Sequence, residues 1–302
     1  MVSVKSYAKL NITLKITGKN QNYHDLDSIV TSVNKFDVIT AKKRKDDKIL
    51  VSFIGKYGFT PTFQENTNAY KSAKLFIDTF GVSGVEITVN RNIKTGGGMG
   101  GSSADISGVL VAMKKLYKLN CDLKPLADSL GSDSGYLLSG GFARISGRGE
   151  KVKKLDINDK YYFVVIYAQN GVNTKECFDL YDTKFHNDIK NFNDECETAL
   201  LNGDITALKN LACNDLYLPA STLNPEIKEN LTALNNLSPE FSSMTGSGST
   251  CFSMYKDYEL ASWAYAKLKK EFGDKVELLS TFDPSKLSFF DKLFGVYPFE
   301  KN

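Results

Sequence analysis

Apolar and polar residues alternate near the start of the chain. Leu10, Ile12, Leu14 and Ile16 are apolar, and Asn11, Thr13 and Lys15 between them are polar. A period of two is that of a strand with one face buried. Residues 18–22 (GKNQN) read as a turn. Further strands are expected at 29–33, 37–41 and 49–53, and a helix over 69–80 closed by Gly81. Val85, Ile87 and Val89 alternate again and predict another strand. After them comes a glycine-dense stretch, 96–101, and then Ile106, Val109, Leu110, Met113, Leu116 and Tyr117, which share one helical face. A short helix is expected over 126–130, stopped by Gly131. Residues 161–168 (YYFVVIYA) form an unbroken apolar run, the signature of a strand buried on both faces. Helices are expected near 195–211 and 226–234. A second glycine loop at 244–249 precedes a strand at 251–255. Leu260, Trp263, Ala264 and Leu268 mark a helical face, and 275–280 a late strand. The mixture predicts an α+β protein. A boundary near residues 150–160 is expected to divide it into two domains, 1–155 and 156–302.

Composition narrows the function. The chain has 302 residues, of which 42% are hydrophobic and 24% charged, ordinary values for a globular protein. Lys and Arg number 38 against 35 Asp and Glu, so the net charge of +3 makes no case for nucleic acid. The basic run Lys42-Lys43-Arg44-Lys45 is followed at once by Asp46 and Asp47 and reads as a solvated turn. No apolar run approaches the ~20 residues that span a bilayer, and the first residues lack the apolar core of a signal peptide. No membrane association is expected. The cysteines Cys121, Cys177, Cys196, Cys213 and Cys251 are scattered, without a C-x-x-C pair. They read as free structural thiols of a cytoplasmic protein, with zinc not expected. Of the two histidines, His186 sits among polar residues and has no functional reading. The apolar tail residues, from Leu287 to Phe299, are expected to pack onto the body of the protein.

A strand, a glycine loop and a helix in succession make an anion site. Backbone N–H groups without side chains approach phosphate oxygens closely, and the helix N-terminus adds unpaired donors and positive charge. Gly96, Gly97, Gly98, Met99, Gly100 and Gly101 form the loop, and Ser102 and Ser103 add hydroxyls. The same segment also fits a turn capped by serine. The chain has neither G-x-x-x-x-G-K-[ST] nor a G-x-G-x-x-G after a parallel strand.

The stretch Lys94-Thr-Gly-Gly-Gly-Met-Gly-Gly-Ser-Ser103 resembles the second motif of the GHMP kinases. Residues 7–14 (YAKLNITL) resemble the first motif and 244–250 (MTGSGST) the third. Also similar, and in the same order, are 22–26 (NYHDL), 131–133 (GSD), 140–143 (GGFA), 147–150 (GRGE) and 214–216 (NDL). The likeness is to the branch that phosphorylates a polyol carrying cytidine diphosphate, a step in isoprenoid biosynthesis. There are departures. Lys94 stands where the family usually has Pro, Ser102 where it has Gly, Ala104 where it has Ser, and Ser134-Gly135 where it has Val-Pro.

The resemblance implies an S5-like N-terminal domain against a ferredoxin-like C-terminal domain, with the site in the cleft between them. It implies transfer of the γ-phosphate of ATP, accompanied by magnesium, to a small-molecule alcohol. Asp133 would be the carboxylate that takes the hydroxyl proton and Lys9 the ammonium beside it. The loop 96–103 would hold phosphates, Ser103 the magnesium ion, and Asn68 the adenine side. Tyr23 would stack on the cytosine, His24 bind its edge, and Thr174 and Phe178 close the other face. Gly246, Ser247 and Gly248 would line the region between the substrates. Two alternatives stay open: a GHMP kinase for another alcohol, of the mevalonate or homoserine kind, and a nucleotide-binding regulator that has lost transfer. Monomer and homodimer are equally compatible with the sequence.

Overall fold

The computed structural model describes residues 1–20, 23–186 and 190–284. The first half carries strands β1 (Val2–Asn11), β2 (Lys15–Asn20), β3 (Tyr23–Lys43) and β4 (Ile49–Ile54). Helix α1 (Asn68–Phe80), β5 (Val85–Asn90), α2 (Gly101–Tyr117), α3 (Lys124–Leu130) and α4 (Ser134–Leu137) follow, then β6 (Phe142–Gly147) and β7 (Lys151–Lys154). The second half runs β8 (Tyr162–Ile166), α5 (Thr174–Leu180), α6 (Asn193–Leu201), α7 (Leu208–Leu211), α8 (Tyr217–Leu223) and α9 (Glu226–Asn235). It ends with β9 (Phe241–Met244), β10 (Cys251–Tyr255), α10 (Tyr258–Phe272) and β11 (Val276–Ser280).

β3 is the spine of the first sheet. Its residues 23–27 pair with β2 and 30–41 with β1 along one edge, while 26–31 pair with β6 and 38–43 with β5 along the other. β4 adds in parallel to β5, and β7 antiparallel to β6. The two strands expected at 29–33 and 37–41 are therefore one. The polar pair Asn34-Lys35 does not interrupt it, because both flanking segments are hydrogen-bonded on two sides. α1 starts on Thr67, whose hydroxyl accepts from Tyr70 N, and stops at Gly81. It packs with α2 over the sheet, where Phe76, Val109, Leu110 and Met113 meet Ile39, Val85, Ile87 and Val89.

The second sheet has the order β11-β8-β10-β9, all antiparallel. β8 is buried on both faces. Val164 and Ile166 pack with Ile227, Ala261, Ala264 and Leu268 of α9 and α10, while Phe163 and Val165 turn toward Leu10, Ile12, Ile29 and Phe142 of the first sheet. One apolar layer thus joins the two sheets, which accounts for the unbroken apolar run at 161–168. Ion pairs tie the halves as well: Lys15–Asp215 at 3.1 Å, Lys35–Glu277 at 2.6 Å, and Arg144, itself paired with Asp27 of its own half at 2.6 Å, with Glu197 at 3.2 Å.

Four further expectations are corrected. The alternating segment 10–16 is not one half-buried strand. The chain bends at Ile12 and Thr13, leaving β1 for β2, and residues 11–16 are all buried. Its polar positions face the junction of the two halves, where distant polar groups receive them. The strand β2 runs on through Gly18 to Asn20, residues expected in the turn. The helix expected over 195–211 ends at Leu201, ahead of Asn202-Gly203, and resumes only as the short α7. On α10 the buried face is Ala261, Ala264 and Leu268, whose two alanines let the helix lie close to the sheet, and Trp263 stays 48% exposed. The apolar tail from Leu287 to Phe299 lies outside the described residues, as does Asn22.

Arg44 and Asp46 pair at 2.6 Å in the turn between β3 and β4. All five cysteines are free thiols. Burial pushes Cys177, Cys196 and Cys251 up to about 12, so these thiols stay protonated at neutral pH. His186 is exposed, its ring edge-on to Tyr181. Among the described residues no helix is long and apolar enough to cross a membrane.

Candidate active site

Two glycine loops from opposite halves of the chain lie back to back. The first leads from β5 into α2, and the second joins β9 to β10. Gly98 has φ +76°, a conformation glycine adopts freely, and a Cβ on it would stand 2.1 Å from Thr245 O. The Thr245 hydroxyl donates to Gly98 O at 3.2 Å, and Thr250 N donates to Gly97 O at 3.2 Å. Gly100, just ahead of helix α2, is also at positive φ, and no side chain caps the helix. Its first amides thus keep their donors for a ligand.

β1 delivers the charged residues. Its register against β3 slips between Tyr7 and Lys9, an irregularity of the kind that re-aims a side chain. Lys9 N donates to Met99 O at 3.1 Å, so the strand is bonded to the glycine loop itself. Lys9 Nζ lies 3.2 Å from Asp133 Oδ2 and also donates to Asn11 Oδ1. The lysine is buried, while the Asp133 side chain is 25% exposed, at the wall of the cleft. Asn11 Nδ2 donates to Ser28 Oγ at 2.8 Å, and Asn11 N donates to Thr245 Oγ1 at 2.9 Å. Asn11 thereby links Lys9 to the second glycine loop. Sequence reasoning passed over it, although Lys9-x-Asn11 on a strand puts both side chains on one face.

A cleft of about 280 Å³ opens over these groups. Lys9, Asn11, Asp133, residues 94–103, Thr174, Phe178 and residues 246–248 line it. The structure thus brings together both expected catalytic residues, the whole first loop, Thr174, Phe178 and the second loop. Thr174 Oγ1 and Ser247 Oγ are 2.9 Å apart, joining the start of α5 to the second loop. Asn214 Nδ2 holds that loop from below, donating to Met244 O at 2.7 Å and Gly246 O at 3.0 Å.

The expected aromatic sandwich is not assembled. Tyr23 is 55% exposed and absent from the cleft wall. The Arg148 guanidinium covers its ring at 3.8 Å, a cation–π contact that holds it at the hairpin end. His24 instead stacks on Phe178, with centroids 4.6 Å apart, and its Nε2 is 2.7 Å from Asp182 Oδ1. The lysine Lys19 bonds the other oxygen of Asp182 at 2.5 Å, and these partners hold the Asp182 carboxyl below its ordinary pKa against the opposing effect of burial.

Beside the first loop is a second hollow, sharing Thr95 and Ser102 with the cleft. Phe53, Phe59, Phe63 and Asn68 stand around it, and Asn68 Nδ2 donates to Ser102 O at 3.4 Å. Phe53 and Phe59 stack at 4.5 Å, with the Arg91 guanidinium over their rings at 4.9 and 5.2 Å. Arg91 also bonds Asp105 Oδ2 in a buried pair. Burial pushes Asp105 up to about 7, opposed by Arg91 and assisted by Asp37. The carboxyl of Asp37 is raised by burial too, although it accepts from Ile93 N at 2.8 Å. This pair was not foreseen from the sequence, because nothing local marks an arginine 14 positions from its partner as buried.

Paired glycine loops under a lysine–carboxylate couple, set where two α+β halves meet, define a small-molecule kinase of the GHMP class. Models of that family match here: the GHMP kinases N terminal domain at residues 67–143 and the GHMP kinases C terminal at 196–274. The chain is 33% identical to 4-diphosphocytidyl-2-C-methyl-D-erythritol kinase of Clostridium beijerinckii, over 90% of this chain and 98% of that one. It is 34% identical to the Clostridium perfringens kinase of the same name, over 90% and 94%. A crystal structure of 4-(cytidine 5'-diphospho)-2C-methyl-D-erythritol kinase superposes with a TM-score of 0.75 at 25% identity, covering 92% of this chain and 98% of that one. The chain belongs to the 4-diphosphocytidyl-2-C-methyl-D-erythritol kinase family.

Proposed function

We propose that the protein transfers the γ-phosphate of ATP to the 2-hydroxyl of 4-diphosphocytidyl-2-C-methyl-D-erythritol, a step of isoprenoid biosynthesis. The observation that carries the reading is the Lys9–Asp133 couple, 3.2 Å apart, in the same cleft as the first turn of α2.

The loop amides from Gly96 to Ser103 bind the β- and γ-phosphates. The adenine side lies in the neighbouring hollow, where Phe59 and Phe63 offer ring faces and Asn68 a polar rim. Asp133 takes the proton of the acceptor hydroxyl as its oxygen bonds to the γ-phosphorus. The bond from that phosphorus to the bridging oxygen breaks, and ADP leaves. Lys9, 3.2 Å from Asp133, steadies the negative charge that gathers on the acceptor oxygen. The buried Asn11 amide fixes the lysine head in that position. The Ser103 hydroxyl, on the cleft wall beside the loop amides, would hold a magnesium ion accompanying the triphosphate. Among the described residues no three His, Cys, Asp or Glu side chains gather to hold a metal alone. When bound, the ion neutralises phosphate charge.

The acceptor's base lies at the far end of the cleft. Phe178 offers a face once it parts from His24, and His24 with Asp182 offers edge donors and acceptors. Tyr23 reaches this place only by leaving Arg148, so its stacking role requires the hairpin end to move.

The test is ADP formation from Mg-ATP with a panel of alcohols. The reading predicts turnover with the cytidine diphosphate compound and little with mevalonate or homoserine. Turnover with mevalonate or homoserine alone would replace the acceptor, and ATP binding without transfer to any alcohol would leave a nucleotide-binding regulator.

A further inference from the structure

Lys94, at the root of the first glycine loop, lines the cleft, but its ammonium is turned to the opposite half of the chain. Lys94 Nζ donates to Ala168 O and, at 3.0 Å, to Gln169 O. Both carbonyls belong to the segment leaving β8, in the opposite half of the chain. The same segment is pressed against the loop. A Cβ on Gly171 would stand 2.8 Å from Gly96 O, and Val172 N donates to Gly96 O at 3.4 Å.

The receiving segment is itself anchored. Gln169 N donates to Glu226 Oε2 at 2.6 Å, Glu226 pairs with Lys275 at 2.9 Å, and Asn224 Nδ2 donates to Asn170 O at 3.0 Å. The ammonium of Lys94 thus joins the glycine run to a segment held by Glu226 of α9 and by Asn224 just ahead of that helix. Two carbonyls and one ammonium make charge-assisted bonds, stronger than neutral ones. A glycine loop has many backbone conformations to lose when it closes on a ligand. A tie at its root removes part of that loss before ligand arrives.

We infer that Lys94 is a positioning residue that holds the phosphate loop to the 168–172 segment and so raises affinity for ATP without touching it. The inference rests on the reading that residues 96–103 bind the phosphates. The tie itself is tested separately by hydrogen–deuterium exchange on the protein without nucleotide.

Three proteins are compared: wild type, Lys94→Met, and Lys94→Arg, whose guanidinium has donors for two carbonyls. In Lys94→Met, exchange of amides 95–98 and 169–172 is expected to quicken about tenfold, with the β8 amides still protected, and the Kd for ATP to rise about tenfold. The KM for the alcohol stays as it was, and Lys94→Arg recovers most of both effects. Unchanged exchange in Lys94→Met overturns the tie. Faster exchange with unchanged ATP affinity overturns the positioning role and leaves a structural contact. If the wild type fails to bind ATP, the phosphate reading of the loop falls, whereas the exchange comparison still decides whether the tie exists.

Discussion

Gly98 and Thr245 touch so closely that the two glycine loops act as one body. The Gly98 φ is +76° and a Cβ there would meet the Thr245 carbonyl oxygen at 2.1 Å. The contact is backbone to backbone, so neither side can yield by rotating a side chain. Gly98→Ala should force the loops apart and strain the backbone by at least about 1–3 kcal/mol. The expected result is a lower melting temperature together with a loss of ATP affinity, read by thermal unfolding and calorimetric titration. Wild-type affinity in a folded Gly98→Ala protein would show that the contact does not shape the site.

Asp105 sets a pH dependence of stability. Its carboxyl is pushed up to about 7 from an ordinary value of 3.8, chiefly by burial. In the unfolded chain it ionises near pH 4, but in the folded protein only near pH 7. The folded state therefore holds this proton longer, so the contribution of Asp105 to stability is greatest below about pH 4 and declines until about pH 7. Asp105→Asn should remove this decline, as measured by denaturant midpoints across that range. Above about pH 7, where the carboxyl is ionised, the change also leaves the Arg91 guanidinium buried without its counter-charge, at a cost of about 3–5 kcal/mol. An unaltered pH slope in the variant would contradict the assignment.

On the proposed reading, Phe178 and His24 bear on the acceptor alone. Phe178→Ala should raise the KM for the cytidine diphosphate compound about ten- to a hundredfold, the value of one stacked base, while the KM for ATP stays unchanged. Equal effects on both substrates would move the base elsewhere. Tyr23→Ala distinguishes the hairpin's role. A comparable rise would show that Tyr23 leaves Arg148 to join the base, and no change would leave it as an exposed ring covered by Arg148 at the hairpin end.

The elements that could be read from the sequence are those whose burial follows one repeating pattern. The helix ending at Gly81, the alternating Val85, Ile87 and Val89, and the two-faced run at 161–168 each bury what their periods require. The strand at 10–16 misled because its polar residues are buried as well. Lys9 finds Asp133, Asn11 finds Ser28, and Lys15 finds Asp215, partners scattered along the chain. Polar burial of this kind is settled by long-range pairing, which no local period carries. The candidate site was readable in its loops, where glycine density has a direct physical meaning. Its ordered motifs supplied Lys9 and Asp133 through resemblance alone. The direction in which Lys94 points, and the stacking of His24 on Phe178 rather than across from Tyr23, depend on neighbours more than 70 positions away and left no mark on the nearby sequence.

On the proposed reading, Asp133, paired with Lys9 at 3.2 Å, takes the acceptor proton in front of the glycine loop. The most direct measurement is single-turnover phosphoryl transfer from bound ATP to the cytidine diphosphate compound by Asp133→Asn, a change that keeps the shape and removes the charge. The account predicts a rate about two to four orders of magnitude lower than wild type with near-normal ATP affinity. Transfer at the wild-type rate would contradict it.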